Sequence, residues 1–208
     1  MVLTYAEVVE LLPHLPIFKN LEYLGFDESL VNLDNVALLK ILQNSPRLKK
    51  MEFYGLLTYA VEVVELLPHM PIFNNLEYLV LEEWSVNLNG VALLKILQKS
   101  PRLKTMVFSE GISLPSDFER NDRILDPVPP CFLSQLNCIK VYDYEGDKEE
   151  LSAVKSLLKN AVVLDKMVIT CSNHFAKDLK NLKKVHEQLL NLPRGSKHCE
   201  LVFDLNLS

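Results

Sequence analysis

The strongest constraint on this chain is a long internal repeat. Slid by 55 positions, residues 7–53 fall on residues 62–108, and roughly three-quarters of the aligned positions are identical. EVVELLP recurs from Glu7 and Glu62. LPHLPIFKNLEYL, from Leu12, returns as LPHMPIFNNLEYL, from Leu67, and VALLKILQNSPRLK, from Val36, returns as VALLKILQKSPRLK, from Val91. A catalytic site has no reason to be written twice at equivalent turns, whereas a building block does. His14 and His69 are therefore read as turn residues rather than as bases.

Each block is itself two units. LEYLGF (21–26), LKKMEF (48–53), LEYLVL (76–81) and LKTMVF (103–108) share the pattern L-x-x-L-x-L, with Met and Phe admitted at the Leu positions. Their starts are 27, 28 and 27 residues apart. That period predicts short strands followed by helical returns, and because neither can bury its apolar side alone, neighbours must stack. Val36, Leu38, Leu39, Ile41 and Leu42 make one apolar helix face, with Asp34 or Asn35 as its cap and Ser45-Pro46 as its stop. Residues 6–13 and 61–68 read as further helices.

The second half keeps the frame in LNCIKV (136–141), LDKMVI (164–169) and HCELVF (198–203). Two helices fall between them. One is opened by Gly146-Asp147, with Glu149 and Glu150 in its first turn and Lys155 and Lys159 near its end, as the helix dipole prefers. The other runs from about Phe175 to Leu190 and stops near Pro193. The expected fold is α/β: a leucine-rich-repeat solenoid of about seven parallel strands on a concave side, with helices on the convex side. Residues 1–126 carry the repeats, residues 127–208 continue the solenoid, and the Pro-, Ser- and Asp-bearing stretch 109–130 is the boundary. Met1 falls inside a repeat, so this reading has no strand before the first helix.

Composition excludes several classes. With 208 residues, 49% apolar residues and a net charge of −5, the chain suits a sizeable core and lacks the basic stripe of a nucleic-acid binder. KNLKKVH, from Lys180, reads as a solvated helix face. No apolar run reaches the roughly 18 residues of a membrane span, and the first residues carry Glu7 and Glu10 where a signal peptide would be basic. Neither nucleic acid nor membrane is an expected partner. Cys131, Cys138, Cys171 and Cys199 show no C-x-x-C and read as reduced, mostly buried thiols of an intracellular protein of the cytoplasm or nucleus.

Chemistry is equally sparse. There is no G-x-S-x-G, G-x-x-x-x-G-K or H-E-x-x-H, so no catalytic residue, cofactor or metal is assigned. Cys171, His174, His198 and Cys199 are the one cluster of possible metal ligands. Cys171 and Cys199 end and begin neighbouring strands, which makes proximity conceivable, but core cysteines and surface histidines are the preferred reading. Asp27, Glu28, Glu82 and Glu83 follow equivalent strands and read as solvated strand-end residues. Trp84, just past its strand, is either an exposed anchor or a cover for a helix.

The copies differ most where a strand points away from its core. The outward set is Tyr23, Gly25 and Asp27, then Lys50 and Glu52, in the first block. In the second it is Tyr78, Val80 and Glu82, then Thr105 and Val107. Four of these five pairs differ, which suits a recognition face whose scaffold was copied and whose surface varied. With Tyr54, Lys140, Tyr142 and Lys166 these residues form the candidate protein-binding face, and Tyr144 is placed on or near it.

The stretch from Val128 to Ile169 resembles the FBD domain of plant F-box/FBD/LRR-repeat proteins. The resemblance is carried by Pro130-Cys131-Phe132-Leu133, Leu136, Ile139, Tyr144-x-Gly146, Glu149-Glu150, Leu157-Leu158-Lys159-Asn160-Ala161 and Leu164-x-x-Met167, and by the ending RGSKHCELVFD from Arg194. LLKILQNSPRLK resembles the leucine-rich part of the same family. The resemblance implies a non-enzymatic protein-binding module, the substrate-recognition part of an F-box-type ubiquitin ligase receptor. This sequence holds no F-box, so direct binding to the ligase adaptor is not expected. The alternative is a stand-alone or truncated scaffold or decoy.

Overall fold

The computed structural model describes residues 2–3, 18–26, 35–55, 67–114, 125–173 and 179–204. Its strands are β1 (Val2–Leu3), β2 (Tyr23–Phe26), β3 (Lys50–Tyr54), β4 (Tyr78–Asn87), β5 (Thr105–Ser113), β6 (Cys138–Tyr144), β7 (Lys166–Cys171) and β8 (Glu200–Asp204). All eight join one sheet in chain order, and every neighbouring pair is parallel. Helices α1 (Asn35–Gln43), α2 (Val91–Gln98), α3 (Pro130–Ser134), α4 (Lys148–Asn160) and α5 (Leu179–Leu190) lie between strands, and Leu67–His69 forms a 3-10 turn.

The period-two alternation of the strands sorts the sheet into two faces. Leu24, Met51, Leu79, Met106, Ile139, Met167 and Leu201 stand opposite one another across successive strands, and Phe26, Phe53, Leu81, Phe108, Val141, Ile169 and Phe203 make the next row. Both rows pack with Ile41, Leu42, Leu93, Leu97, Phe132, Leu157, Leu158 and Leu189 from the helices in one continuous core. These are the second and third apolar positions of L-x-x-L-x-L. Burying each such side chain contributes about 1.5–3 kcal/mol, enough to fix the register, since a one-residue slip would turn the whole row toward solvent.

The recurring S-P has a local explanation. The hydroxyls of Ser45 and Ser100 each donate to a carbonyl one turn back, Ile41 and Ile96, both at 2.7 Å, as α1 and α2 end. The following Pro46 and Pro101 then disfavour any continuation. At α4, Asp147 caps the helix by accepting from the Glu150 N–H at 2.8 Å, and the Glu150 side chain reaches back in a capping box.

Four expectations change. Among the described residues there are the seven expected strands and one more, Val2–Leu3, which pairs with Gly25–Phe26 as an edge strand too short to show the repeat motif. Strands β4, β5 and β6 run past the six-residue frame. Trp84 therefore lies within β4, paired with Glu110, rather than beyond it. Glu82 is half-buried and Glu83 buried, so neither is a freely solvated strand-end residue. Tyr144 lies in the core, fully buried, because one extra residue in β6 shifts the register between Val141 and Tyr144. The helix read over 6–13, residues 61–66 of the helix read over 61–68, and His14, Asp27, Glu28, Asp34, His174, 115–124 and 175–178 lie outside the described residues, as does the Trp84 side chain; the described end of the second helix, at Leu67 and Pro68, belongs to the 3-10 turn.

Candidate protein-binding face

The described helices place their buried side chains on the core face, so the other face of the sheet carries the candidate residues. Strand pairing lays Tyr23, Lys50, Tyr78 and Thr105 in one row across β2 to β5, and Gly25, Glu52, Val80, Val107 and Lys140 in the next. Directly opposite side chains in neighbouring strands sit about 5 Å apart, close enough to interact.

Five of these residues form a bonded network. The Lys50 ammonium lies between two rings, 5.3 Å from the Tyr23 centroid and 5.5 Å from that of Tyr78, and 2.6 Å from Glu52 Oε1. Glu52 Oε2 accepts from the Tyr54 phenol at 2.7 Å and from the Tyr23 phenol, which reaches it across the strand gap. Gly25, paired opposite Glu52, has no side chain to separate Tyr23 from the carboxylate.

The electrostatics follow from the donors. Burial alone would raise the Glu52 pKa, but hydrogen bonds from Lys50, Tyr23 and Tyr54 outweigh it and hold the carboxyl below its ordinary value. The same bonds work in reverse on their donors. The Glu52 carboxylate raises Lys50 against an opposing burial effect and raises Tyr54, while burial first and then the Glu52 bond raise Tyr23. Glu52 is thus an ionised, almost fully buried carboxylate that ties two tyrosines and a lysine into a fixed arrangement. The second copy carries Thr105 and Val107 in place of Lys50 and Glu52 and repeats none of this.

The remaining candidates are not drawn into the network. Val80 and Val107 are buried by their neighbours, at 6% and 7% exposure, and Thr105 is half-buried. Lys140 and Tyr142 on β6 and Lys166 on β7 lie two and three strands beyond β4, roughly 10–15 Å away. Tyr142 is one of the exposed large side chains.

A second feature escapes the repeat pattern. Register shifts between Leu81 and Trp84 in β4, and between Val141 and Tyr144 in β6, each insert one residue, with Ser85 and Asp143 adopting positive φ of 51° and 57°. Beside the β6 bulge, Ser109, Glu110, Tyr142, Asp143, Thr170, Cys171 and Asn173 line an open pocket of about 440 Å³. Except for Tyr142, and for Cys171 as a possible metal ligand, sequence reasoning missed these as site residues. The only signal was acidic residues just beyond each L-x-x-L-x-L frame.

The two cysteines of the possible metal-ligand cluster, for which core positions were the preferred reading, stand apart. Cys171 ends β7 and Cys199 precedes β8, and since these strands are parallel with Lys166 opposite Glu200, the two cysteines stand at opposite ends, roughly 20 Å apart along the sheet. All four cysteines are free thiols, and burial pushes Cys131 up to about 12 and, with Glu150 and Asp204 adding, Cys171 up to about 11. On α5, Lys183 and Lys184 are exposed as read, but Leu182 and Val185 are buried and the His186 ring stacks on Phe203 with centroids 5.2 Å apart.

Several motif residues of the C-terminal stretch prove to be structural. Glu150 Oε2 accepts from the backbone N–H groups of Glu145, Gly146 and Asp147 at 2.9, 2.7 and 3.3 Å. Gly146 sits at φ 78° and lets the chain turn tightly there. Burial, with the nearby Asp147 charge adding and these three donors opposing, raises the Glu150 pKa to about 7. Gly195 donates to the Leu158 carbonyl at 2.8 Å, and a Cβ there would lie 2.5 Å from the Lys159 carbonyl oxygen.

Comparison with known proteins gives this stretch its family. Residues 126–169 match the FBD family model. The chain is 27% identical to an Arabidopsis thaliana F-box/FBD/LRR-repeat protein over 64% of its own length and 26% of that protein. Two Arabidopsis FBD-associated F-box proteins are 29% and 30% identical, covering 70% and 64% of this chain and 30% and 27% of their own. The chain thus spans less than a third of the length of these curated relatives. No solved structure matches it. Residues 126–169 are therefore FBD sequence, and the chain is similar to the plant F-box/FBD/LRR-repeat proteins.

Proposed function

We propose that this chain is a non-enzymatic protein-recognition module, acting inside the cell as the substrate-binding part of an F-box-type ubiquitin ligase receptor. In this reading the sheet is a leucine-rich-repeat solenoid. Residues 1–126 supply repeats, residues 127–208 supply the FBD continuation, and the face away from the helices is its concave binding side. The observation that carries it is the Tyr23–Lys50–Glu52–Tyr54–Tyr78 network. Tyrosines held in place by a buried carboxylate present large amphipathic surface with little entropy left to lose, which is what interface anchors require. The names of the relatives, which combine F-box, FBD and LRR, supply the ligase half of the reading.

The test is a selection of peptides from a displayed random library against the folded chain. Binding should weaken about tenfold or more in Tyr78→Ala and Tyr142→Ala variants that retain the wild-type circular dichroism and melting cooperativity. Peptides that bind both variants undiminished would remove this face as the site. The receptor role is tested by joining an F-box to the chain and following ubiquitin transfer to a captured peptide in a reconstituted cullin ligase. Capture without transfer would overturn that role and leave recognition intact.

A further inference from the structure

Among the asparagines of this chain, only Asn89 is followed by glycine. The pair lies in the link between β4, which ends at Asn87, and α2, which begins at Val91. That link is a tight turn. The Asn89 N–H donates to Asn87 Oδ1 at 3.0 Å, and the Gly90 N–H donates to the Asn87 carbonyl at 2.9 Å. A Cβ at Gly90 would lie 3.0 Å from that carbonyl oxygen, so the turn suits a residue without one. The same missing Cβ leaves the Gly90 nitrogen open to the side chain before it. That nitrogen is held within its own turn rather than by a helix or sheet ladder. The Asn89 amide is loose as well. Asn89 is half-buried, and its side chain makes no hydrogen bond among the described residues, whereas the amides of Asn44, Asn75, Asn160 and Asn191 each donate to a backbone carbonyl at 2.7 to 2.8 Å.

The internal repeat says what a change here would produce. Slid by 55 positions, Asn89 falls on Asp34 and Gly90 on Asn35, so the first copy encodes an acid where the second encodes its amide. The helix that follows has room for that charge. Gly90 caps α2 with no side-chain hydrogen bond, and the first turn of α2 holds no acidic residue. A carboxylate at position 89 would stand beside the positive end of the helix dipole, where negative charge is favoured.

We propose that Asn89 is a deamidation site, at which the second copy acquires by chemistry the acidic residue that the first copy encodes. Hydroxide takes the proton of the Gly90 N–H, and the freed nitrogen bonds to the side-chain carbonyl carbon of Asn89. The bond from that carbon to the amide nitrogen breaks, and the amide leaves as ammonia, taking a proton from water. A succinimide ring remains. Water opens it at the side-chain carbonyl to give aspartate, or at the main-chain carbonyl to give isoaspartate. Water and hydroxide are the only co-reactants, and nothing is oxidised or reduced. Aspartate keeps the turn and charges the start of α2. Isoaspartate inserts one extra atom into the main chain before Gly90 and so displaces the N–H that closes the turn on Asn87. The inference does not depend on the recognition reading above.

The test is to hold the folded chain at neutral and mildly alkaline pH and map its peptides by mass spectrometry over time. Conversion should appear at Asn89 before any other asparagine, run faster as pH rises, and yield both aspartate and isoaspartate. Asn89→Gln, whose longer side chain closes the corresponding ring far more slowly, should lose the conversion at this position. Asn89→Asp should raise the melting midpoint by about 1–3 °C, the shift expected for a charge at a helix N-terminus in a chain of this length. Conversion that begins at another asparagine, or that reaches Asn89 only after unfolding in urea, would overturn the site. A midpoint unchanged or lowered in Asn89→Asp would overturn the benefit to α2 and leave the site standing.

Discussion

Tyr54 donates its phenol proton to the Glu52 carboxylate two residues earlier on the same strand, at 2.7 Å, and thereby helps hold an ionised group that is 7% exposed. Nothing in a two-residue spacing is unusual on a strand, where i and i+2 share a face. The unusual part is that Tyr23 and Lys50 converge on the same carboxylate from either side.

Glu52→Gln should therefore cost about 1–3 kcal/mol of stability, since it removes charge from three donors at once. Urea unfolding at neutral pH measures it. The sign with pH follows from the lowered Glu52 pKa. Its contribution is present above the ordinary carboxylate value and is lost as pH falls through the lower value of the folded state. A variant as stable as wild type at neutral pH would show that the network orders the face without stabilising the fold.

Glu150 works in the opposite direction and in another window. Its pKa stands near 7 in the folded chain against an ordinary 4.5, so the folded state holds that proton more tightly than the unfolded state. The contribution is full below about 4.5 and is lost as pH rises to about 7, by about 3 kcal/mol in all. Glu150→Gln, which cannot ionise, should flatten the fall in unfolding free energy across that interval. An unchanged slope would assign the pH dependence to other groups.

Gly195→Ala should destabilise by about 1–3 kcal/mol. The added methyl would meet the Lys159 carbonyl oxygen at 2.5 Å, and backbone must move to admit it. A thermal melt with an unshifted midpoint would show that the turn yields freely.

The parts of this fold that were legible in the sequence are those governed by local periodicity. Leu24, Met51, Leu79 and Met106 fall on the core face where the L-x-x-L-x-L frame puts them, and Asp147 opens its helix where the acidic first turn predicts. Extra residues were not legible. The bulges at Glu82–Glu83 and Tyr142–Asp143 each add one position to a strand, which an averaged motif absorbs silently, and that is why Tyr144 was placed near the wrong face and Glu83 in water. Of the candidate face, the row positions of Tyr23, Lys50 and Tyr78 follow from spacing alone. The convergence on Glu52 and the pocket at Thr170 depend on side-chain reach across strands, for which a one-dimensional pattern carries no signal.

Because the eight strands are ordered as they are in the chain, a two-strand block can be inserted between any two neighbours while every other pairing stays as it was. A tandem gene duplication of 55 residues lengthens such a protein without asking any existing residue to find a new partner. The duplicate then starts life already folded, and its surface is free to diverge, as Lys50 against Thr105 and Glu52 against Val107 record.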